Sequence, residues 1–577
     1  MIKINLPRAL ASLVVIRLAS ALYYTVIADC DEVFNYWEPA HFLTFGAGFE
    51  TWEYSPQFNI RSWFYAGLHG VTSFALSLLG LKKTHVFFAI RSIFAIISAF
   101  VEARLFERVK DVHGSGVANW LLLFLMASTG MTAASTAFLP STFSMYLVTA
   151  AFSYSLSPTP SSARTASFVF LIASSVIVGW PFSGAVAIPF LVEDLVIVSG
   201  TGIMKRWAAA LRAGLAAFAI LLVPTTFVDR IYYGFWSIVP LKIVLYNVFS
   251  GSGEGKGPDI FGTEPWWFYL VNGFLNFNIV FLAALVSIFT VILSRFIMGA
   301  PKTTQTLSLA QQINRLAPFY VWLAIFTAQP HKEERFLFVV YPILCYNASI
   351  AVNALVTTIT YMLAPKTKSK LRNPNKKSLI TTILQYGIAF LFVILSFSRT
   401  MAMLTNYSAP IAIFTAAQSH LSSSDRLCVG KEWHRFPSHY FIPNGVEVRW
   451  IRSAFRGLLP ARFGDSMAPG DWARWEVTRV IPDGLNEYNK EDSSRYVNTD
   501  ECDYLVDSLF GDATVGGNAD EPRFVEDTEN WDVVACVRFL DAGRSRGVAG
   551  KVFWVPEGLY KKGRVWGRYC LLKKKQY

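Results

Sequence analysis

The chain has 577 residues, of which 53% are hydrophobic, 15% aromatic and only 16% charged. Soluble globular chains carry about a quarter charged residues, so this composition excludes a soluble multidomain protein, a disordered chain and a small disulfide scaffold. The remaining class is a membrane protein with many spanning helices and a soluble part.

The net charge of +12 comes from residues 1–400, because residues 401–577 carry equal numbers of basic and acidic side chains. An excess of Lys and Arg between apolar segments is typical of the cytoplasmic loops of membrane proteins. It does not form the basic face that binds a polyanion, so nucleic acid is excluded as a partner.

The first predicted span is the apolar run at residues 9–28, which matches the roughly 20 residues that cross a bilayer. Its end lacks a convincing signal-peptidase site, so we expect an uncleaved helix with its N-terminus in the cytoplasm. The loop at residues 29–59 then lies on the far side of the membrane, and Lys82 and Lys83 mark the next cytoplasmic loop.

Residues 85–200 hold four or five apolar segments between two loops that are both expected to be cytoplasmic, so an even number of segments must cross. Charges at the bilayer centre cost several kcal/mol, and the segment at residues 184–199 contains Glu193 and Asp194. We therefore predict that this segment is re-entrant or interfacial. Three basic side chains would then lie on the far side, although Lys and Arg are usually in excess on the cytoplasmic side: Arg104, Arg108 and Lys110.

The clearest later span is predicted at residues 379–398, directly after the densest basic run between spans, at residues 366–377. We expect this basic run to be cytoplasmic. Following the chain back from it places residues 229–265 and 330–334 on the far side. The prediction is about eleven spans, with residues 401–577 on the same side as these loops.

Residues 401–577 are predicted to form an α/β or β-rich domain, separate from the polytopic part at residues 1–400. Polar turns alternate there with short mixed runs, such as residues 532–540, that are typical of strands. Four cysteines of this domain match no zinc-binding spacing and could pair in an oxidising compartment: Cys428, Cys502, Cys536 and Cys570.

The first far-side loop carries Asp29, Asp31, Glu32 and Glu38, interleaved with aromatic residues. One interpretation is that these acidic residues are simply exposed to solvent where the chain leaves the first helix. The other is a catalytic site, because burial in a partly apolar cleft can bring the pKa of a carboxyl group toward neutrality, as a general base requires.

A second far-side turn consists of five ionisable residues between two apolar helices: His331, Lys332, Glu333, Glu334 and Arg335. Alone, it could be a solvated turn with internal ion pairs. Beside the acidic loop, however, its three cationic side chains could bind a phosphate, with the two glutamates orienting them. The two loops together predict an acid–base end and an anion-binding end of one site.

A series of segments, taken together, resembles one enzyme family. They are residues 30–39 (CDEVFNYWEP), 49–56 (FETWEYSP), 134–141 (ASTAFLPS), 179–182 (GWPF), 243–249 (IVLYNVF), 262–266 (GTEPW), 331–336 (HKEERF), 429–433 (VGKEW) and 455–460 (FRGLLP). The chain resembles the α-1,2-mannosyltransferases of the lipid-linked-oligosaccharide pathway in the endoplasmic reticulum. These are family 22 glycosyltransferases of the GT-C superfamily.

The resemblance implies a polytopic GT-C-type fold in the endoplasmic reticulum membrane, surrounded by membrane lipid, with a luminal active site and a luminal C-terminal domain. Mannose would pass from dolichyl-phosphate-mannose to the dolichyl-diphosphate-oligosaccharide precursor of N-glycans, from Man6 to Man7 and from Man8 to Man9. The donor is β-linked and the product α-linked, so the anomeric centre inverts. A phosphate leaves without a strong general acid, and basic side chains can stabilise it, so no metal or other cofactor is expected.

Carried over residue by residue, the resemblance makes Asp31 the first candidate for the base and Glu32 the second. The candidates for binding the donor phosphate are His331, Lys332 and Arg335. The candidates for shaping the sugar sites are Trp37, Glu38, Trp52, Tyr54, Glu333 and Glu334.

Two other functions fit parts of the sequence. GPI-anchor mannosyltransferases share the HKEERF motif and the acidic loop, although the NYWEP and TWEYSP segments favour the N-glycan enzymes. A lipid flippase or transporter would also have many spans, but it should place ionisable residues at mid-membrane depth in broken helices. In this sequence those residues cluster at one face, which favours an enzyme.

Overall fold

The computed structural model describes residues 4–198, 202–249, 257–299, 307–363, 379–464, 475–511, 521–560 and 563–575. The basic run at residues 366–377 lies outside them. Within the described residues, six helices are long and apolar enough to cross a membrane: Leu6–Tyr23, Lys83–His113, Ser162–Gly179, Ile203–Tyr233, Glu334–Met362 and Leu379–Tyr407. The pair Ile279–Leu285 and Ser287–Met298, bent by 65°, adds a seventh when it counts as one span. The chain is therefore a helical membrane protein, and the number of spans stays a prediction.

Other α-helices complete the bundle and its end loops. They are Cys30–Glu32, Glu38–Phe45, Trp63–Ser77, Ser115–Ala127, Thr129–Ala134, Pro140–Ser155, Ile188–Val192, Val239–Val244, Phe268–Phe277, Leu309–Ala328, Ala409–Ala417, Trp475–Thr478 and Val548–Lys551. Single π-helical turns extend several helices, among them Val33–Trp37, Ser175–Gly179 and Leu245–Phe249.

The helices Leu6–Tyr23 and Lys83–His113 are antiparallel neighbours. The Lys110 ammonium near the end of the second helix donates to the backbone carbonyl of Ile4, before the first helix, at 2.8 Å. The end of the second helix therefore lies on the side of the N-terminus. The predicted far-side position is wrong for the three basic residues at this end, and their actual side agrees with the charge bias of cytoplasmic loops: Arg104, Arg108 and Lys110.

The helix Trp63–Ser77, which lies between these two neighbours in sequence, does not cross the bundle. Its Ser73 hydroxyl hydrogen-bonds the Tyr440 hydroxyl of the C-terminal domain at 2.7 Å. Beyond its end, the Lys83 ammonium lies 5.8 Å from the ring centroid of Phe45 in the first loop. The predicted cytoplasmic position of Lys82 and Lys83 is therefore wrong. At about 1.5 Å per residue, a 15-residue helix is also too short for a hydrocarbon core of about 30 Å.

The segment predicted to be re-entrant crosses the bundle. It begins after Trp180, which lines the far-side cavity, and it runs to Glu193, whose carboxylate accepts two hydrogen bonds of 2.6 and 2.7 Å from Arg315. Next to it, Asp194 pairs with Arg164. Arginines from neighbouring helices thus neutralise the buried charges. Compared with the prediction, the crossing at the Trp63–Ser77 helix is lost and the crossing at the segment with Glu193 is gained. The total number of crossings is therefore unchanged, and so is the side predicted for the C-terminal domain.

The strands in the described residues are β1 Phe49–Glu50 of the first loop, β2 Arg426–Val429, β3 Glu447–Trp450, β4 Ala461–Arg462, β5 Tyr504–Leu509, β6 Trp531–Leu540 and β7 Trp566–Lys574. The C-terminal domain is built on a five-stranded mixed sheet of order β3-β2-β5-β7-β6, in which β2 is parallel to β3 and β5, and β7 is antiparallel to β5 and β6. Disulfides join Cys428 to Cys502 and Cys536 to Cys570. The domain is β-rich, as the sequence predicts.

The first loop and the C-terminal domain are tied together at Glu38. This fully buried carboxylate accepts hydrogen bonds from the Ser438 hydroxyl, the His439 backbone N–H and the Phe49 backbone N–H, each at 2.8 Å. Beside it, β1 of the loop pairs with β4 of the domain. The predicted sugar-binding role of Glu38 is therefore wrong, because its carboxylate is used inside this joint.

The side of Lys82 can be tested with engineered cysteines in sealed vesicles, in a background where the free Cys30 and Cys345 are replaced by alanine. We expect a membrane-impermeant maleimide to label Lys82→Cys from the same side as Asp532→Cys in the C-terminal domain. Asp111→Cys should label from the opposite side. Labelling of Lys82→Cys and Asp111→Cys from the same side of the membrane would contradict this arrangement of the helices.

Candidate active site

The far-side loops meet around a cavity of about 420 Å³. Its walls come from the first loop, the Leu139–Ser141 turn, Trp180, residues 243–247 and 258–261, the turn at residues 331–336 and the C-terminal domain. The predicted far-side loops at residues 29–59, 229–265 and 330–334 thus converge on one place, as a single active site requires.

Asp31 and Glu32 face different surroundings although they are adjacent. Asp29 caps the short helix Cys30–Glu32 by accepting from the Asp31 backbone N–H at 2.9 Å, and successive helical side chains point about 100° apart. Asp31 lines the cavity with about a third of its side chain exposed. Glu32 is buried away from it and accepts from the Phe138 backbone N–H at 2.9 Å. The structure therefore brings Asp31, and not Glu32, to the cavity.

The guanidinium of Arg335 is bound by three carboxylates. Its Nε lies 2.9 Å from Asp29 Oδ2 and also contacts Glu333, and its Nη2 donates to Asp31 Oδ2 at 2.6 Å. Burial raises the pKa of Asp29, and Arg335 opposes that rise. Burial acts on Glu333 in the same direction, but Arg335 and a hydrogen bond from His331 outweigh it and hold the pKa of Glu333 below its usual range. Arg335 thus fixes the position of the Asp31 carboxylate.

His331 also lines the cavity, and both of its ring nitrogens face acceptors. Nδ1 lies 2.7 Å from the Gly262 carbonyl oxygen and Nε2 lies 3.0 Å from Glu333 Oε1. Burial lowers the pKa of His331, but the hydrogen bonds to Glu333 and to the Gly262 carbonyl raise it overall. Because only the imidazolium can donate from both nitrogens, this geometry favours a cationic ring.

Lys332 and Glu334 do not reach the cavity. The Lys332 ammonium is buried against backbone carbonyls, at 2.8 Å from that of Glu264, and it holds the turn together. Glu334 accepts from the side-chain amides of Asn272 and Asn276 at 3.1 and 2.9 Å. The predicted phosphate-binding role of Lys332 and substrate-binding role of Glu334 are therefore wrong by position.

Of the aromatic residues predicted to shape the sugar sites, only Trp52 lines the cavity, where its ring is parallel to that of Phe261 at 6.4 Å. Trp37 is fully buried and packs on Phe87 at 4.2 Å. Tyr54 is also fully buried, and its hydroxyl donates to a backbone carbonyl of the first loop. The two aromatic rings other than Trp52 belong to the core.

A second ion pair in the cavity is absent from the sequence-based predictions. The Arg61 guanidinium donates to Glu53 Oε1 at 2.7 Å and to the Tyr36 hydroxyl at 2.9 Å. Asn35 donates to the other oxygen of Glu53. Burial raises the pKa of Glu53, with Arg61 opposing. A sequence signal exists, because Arg61 is the sole Lys or Arg between Arg17 and Lys82.

The C-terminal domain supplies one wall of the cavity, which the sequence-based prediction of a separate domain also missed. Trp433 and Phe455 contribute aromatic rings 4.6 Å apart. Residues 458–460 and Asn489 complete this wall. The only sequence signal was the resemblance of residues 429–433 and 455–460 to the family.

Within the described residues, Asp29, Cys30 and Asp31 place one ligand atom each within 4.8 Å of one another. These residues do not fit a divalent cation, because the Arg335 guanidinium already lies against both carboxylates. In addition, burial raises the pKa of the Cys30 thiol, which disfavours the thiolate that binds metals. The cluster is therefore described as part of the Arg335 ion-pair network.

Comparison with known proteins gives concordant results. The profile of the Alg9-like mannosyltransferase family matches residues 9–443. The α-1,2-mannosyltransferase alg9 of Schizosaccharomyces pombe is 38% identical over 571 residues, which are 98% of this chain and 94% of that protein. The GPI α-1,2-mannosyltransferase 3 of Xenopus laevis is 26% identical over 54% of each chain.

Among solved structures, ArnT from Cupriavidus metallidurans in the apo state matches with a TM-score of 0.50 and 13% identity, over 82% of this chain and 88% of that chain. At this identity the likeness shows the fold alone. The fold is of the GT-C type, as the sequence predicts.

Proposed function

Because the chain belongs to the Alg9-like mannosyltransferase family and is an α-1,2-mannosyltransferase, we propose that its donor is dolichyl-phosphate-mannose and its acceptor the dolichyl-diphosphate-oligosaccharide precursor of N-glycans. The proposed steps are Man6 to Man7 and Man8 to Man9. The proposed location is the endoplasmic reticulum membrane, with the cavity on the luminal side. Similarity to alg9 along nearly the whole chain supports this acceptor over a GPI precursor, whose enzyme matches about half of the chain.

The observation that carries the mechanism is the placement of Asp31. Its Oδ2 accepts a hydrogen bond from Arg335 at 2.6 Å. Its Oδ1 has no hydrogen-bond partner among the described residues. A carboxylate that is anchored through one oxygen and open to the cavity through the other can accept a proton from a bound hydroxyl. We therefore assign Asp31 as the base and Arg335 as the residue that positions it.

The proposed reaction is a single displacement. Asp31 removes the proton from the acceptor hydroxyl, and the hydroxyl oxygen forms a bond to the anomeric carbon of mannose. The bond between that carbon and the phosphate oxygen breaks, and its electron pair leaves with dolichyl phosphate. The attack comes from the face opposite the phosphate, which converts the β-linked donor into an α-linked product.

The lipid-linked oligosaccharides of cells that lack the protein test the proposed acceptor. We expect a Man6 intermediate to accumulate, because the first proposed addition cannot occur. The wild-type chain should restore the full-length precursor, and Asp31→Asn should not. A normal oligosaccharide profile together with accumulated GPI precursors would contradict the proposal.

For the base, we expect Asp31→Asn to lower the transfer rate of the purified protein by about 10²–10⁴-fold, the usual contribution of one positioned base. Glu32→Gln is the matched control, because a glutamine oxygen can still accept from the Phe138 N–H. It should keep most of the activity. Near-normal turnover by Asp31→Asn together with loss in Glu32→Gln would move the assignment to Glu32.

We further propose that transfer is independent of metal, because Arg335 supplies positive charge against the acidic cluster where a cation would otherwise sit. The wild-type rate should not change in the presence of EDTA. Loss of activity in EDTA that Mn²⁺ or Mg²⁺ restores would contradict this proposal.

A further inference from the structure

A small apolar groove of about 30 Å³ adjoins the reaction cavity. The two spaces share residues at their junction, among them Arg61, Tyr36 and Trp180. Away from the junction, the groove lies between the end of the Ser162–Gly179 helix, through Ile177 and Val178, and the Val239–Val244 helix. A cationic side chain therefore stands where a polar cavity meets an apolar groove.

The outer wall of this groove is suited to contact lipid. The Val239–Val244 helix continues as the π-helical turn Leu245–Phe249, and apolar side chains project outward along both. The exposed apolar residues are Leu241, Leu245, Val248 and Phe249, and the polar Lys242 and Asn247 are exposed beside them. An apolar surface of this kind beside the end of a spanning helix is expected at a membrane interface.

At the junction, Arg61 retains capacity to bind a ligand. Glu53 and Tyr36 each accept from one of its nitrogens, and about a fifth of its side chain is exposed at the junction. Because the Tyr36 hydroxyl accepts from Arg61, its own hydrogen is available to donate. A guanidinium and a phenol side by side provide the charge and the donors that a phosphate requires.

The geometry of inversion separates the base from the leaving group. In a single displacement that inverts the anomeric carbon, the attacking and the departing oxygen lie on opposite faces of that carbon. Arg335 is bonded directly to Asp31 at 2.6 Å and is also occupied by Asp29 and Glu333. Arg335 therefore lies on the base side, and a cation for the departing phosphate must stand elsewhere.

Resting on the proposed function, we propose that Arg61, with Tyr36, binds the phosphate of a polyprenyl-phosphate sugar donor. The first part of the lipid chain lies in the groove beside Ile177 and Val239. In this arrangement the donor enters from the membrane, its phosphate stops at the junction, and its sugar projects into the cavity toward Asp31. Arg61 would then take the role that the sequence suggests for the cations of the turn at residues 331–335.

The first test measures donor KM and kcat for the purified chain in nanodiscs. We expect Arg61→Gln to raise the donor KM about ten- to a hundredfold, the loss that corresponds to one charge-assisted contact. Arg61→Lys should recover part of this loss, since it keeps the charge but not the planar fork. Arg449→Gln, whose side chain pairs with Glu447 on the C-terminal domain, is the matched control. An unchanged donor KM in Arg61→Gln would overturn the proposal.

A binding measurement separates this proposal from the proposed function. Dolichyl phosphate, the product without its sugar, should bind the wild-type chain and bind Arg61→Gln about ten- to a hundredfold more weakly. If Arg61→Gln transferred mannose normally and bound dolichyl phosphate as tightly as the wild-type chain, the assignment of Arg61 would be overturned, but the proposed function would not. Absence of both binding and transfer in the wild-type chain would overturn the proposed function itself.

The groove is tested by chain length, with a variant that leaves Arg61 in place. Ile177→Trp should narrow the groove and raise the KM of a long-chain donor severalfold, while the KM of a donor with a two-isoprene chain stays near the wild-type value. Ile188→Trp, at an exposed position outside both spaces, is the control. Equal effects of Ile177→Trp on both donors would overturn the placement of the lipid chain.

Discussion

A charge buried among apolar helices must be paired, and this constraint governs how the bundle is assembled. Arg17 and Glu102, both fully buried, are joined by two hydrogen bonds across antiparallel helices. Arg315 and Glu193 form an equivalent pair elsewhere in the bundle. Removing one member of a buried pair typically costs about 3–5 kcal/mol, because the other charge is left uncompensated. We infer that these pairs fix which helices are neighbours, and hence which loops meet at the far end.

The same constraint divides the cavity into two parts. Arg335 gathers carboxylates from the first loop and from its own turn, whereas Arg61 is held by Glu53 and faces the apolar groove. Each cation lies in a partly buried environment, where an unpaired charge is costly. An inverting displacement needs a base on one face of the sugar and a stabilised anion on the other. Two cations with different carboxylate partners in one cavity match that requirement better than a single basic cluster.

The membrane class, the GT-C fold and the convergence of the far-side loops were predictable, because they depend on hydropathy, charge bias and motifs that are local in sequence. The errors concern interactions between distant residues. Hydropathy disfavoured the crossing that contains Glu193, because the neutralising Arg315 lies more than a hundred residues later. Likewise, Lys332 had the right charge in the right turn, but the nearby backbone carbonyls capture its ammonium. Arg61 was missed although it is the sole Lys or Arg between Arg17 and Lys82, because the groove beside it becomes visible only in three dimensions.

The C-terminal domain completes a site whose proposed chemistry belongs to the first loop. Glu38 lies seven residues after Asp31 and binds Ser438 and His439, about four hundred residues later. Without that domain, Glu38 would lose its hydrogen bonds from Ser438 and His439 and keep the one from the Phe49 backbone N–H, and the cavity would lack the wall that carries Trp433. The final conformation of the loop therefore includes contacts with a domain that follows the last helix. The position of Asp31 is thus set from two sides, through Arg335 in the turn at residues 331–336 and through the joint between Glu38 and the C-terminal domain.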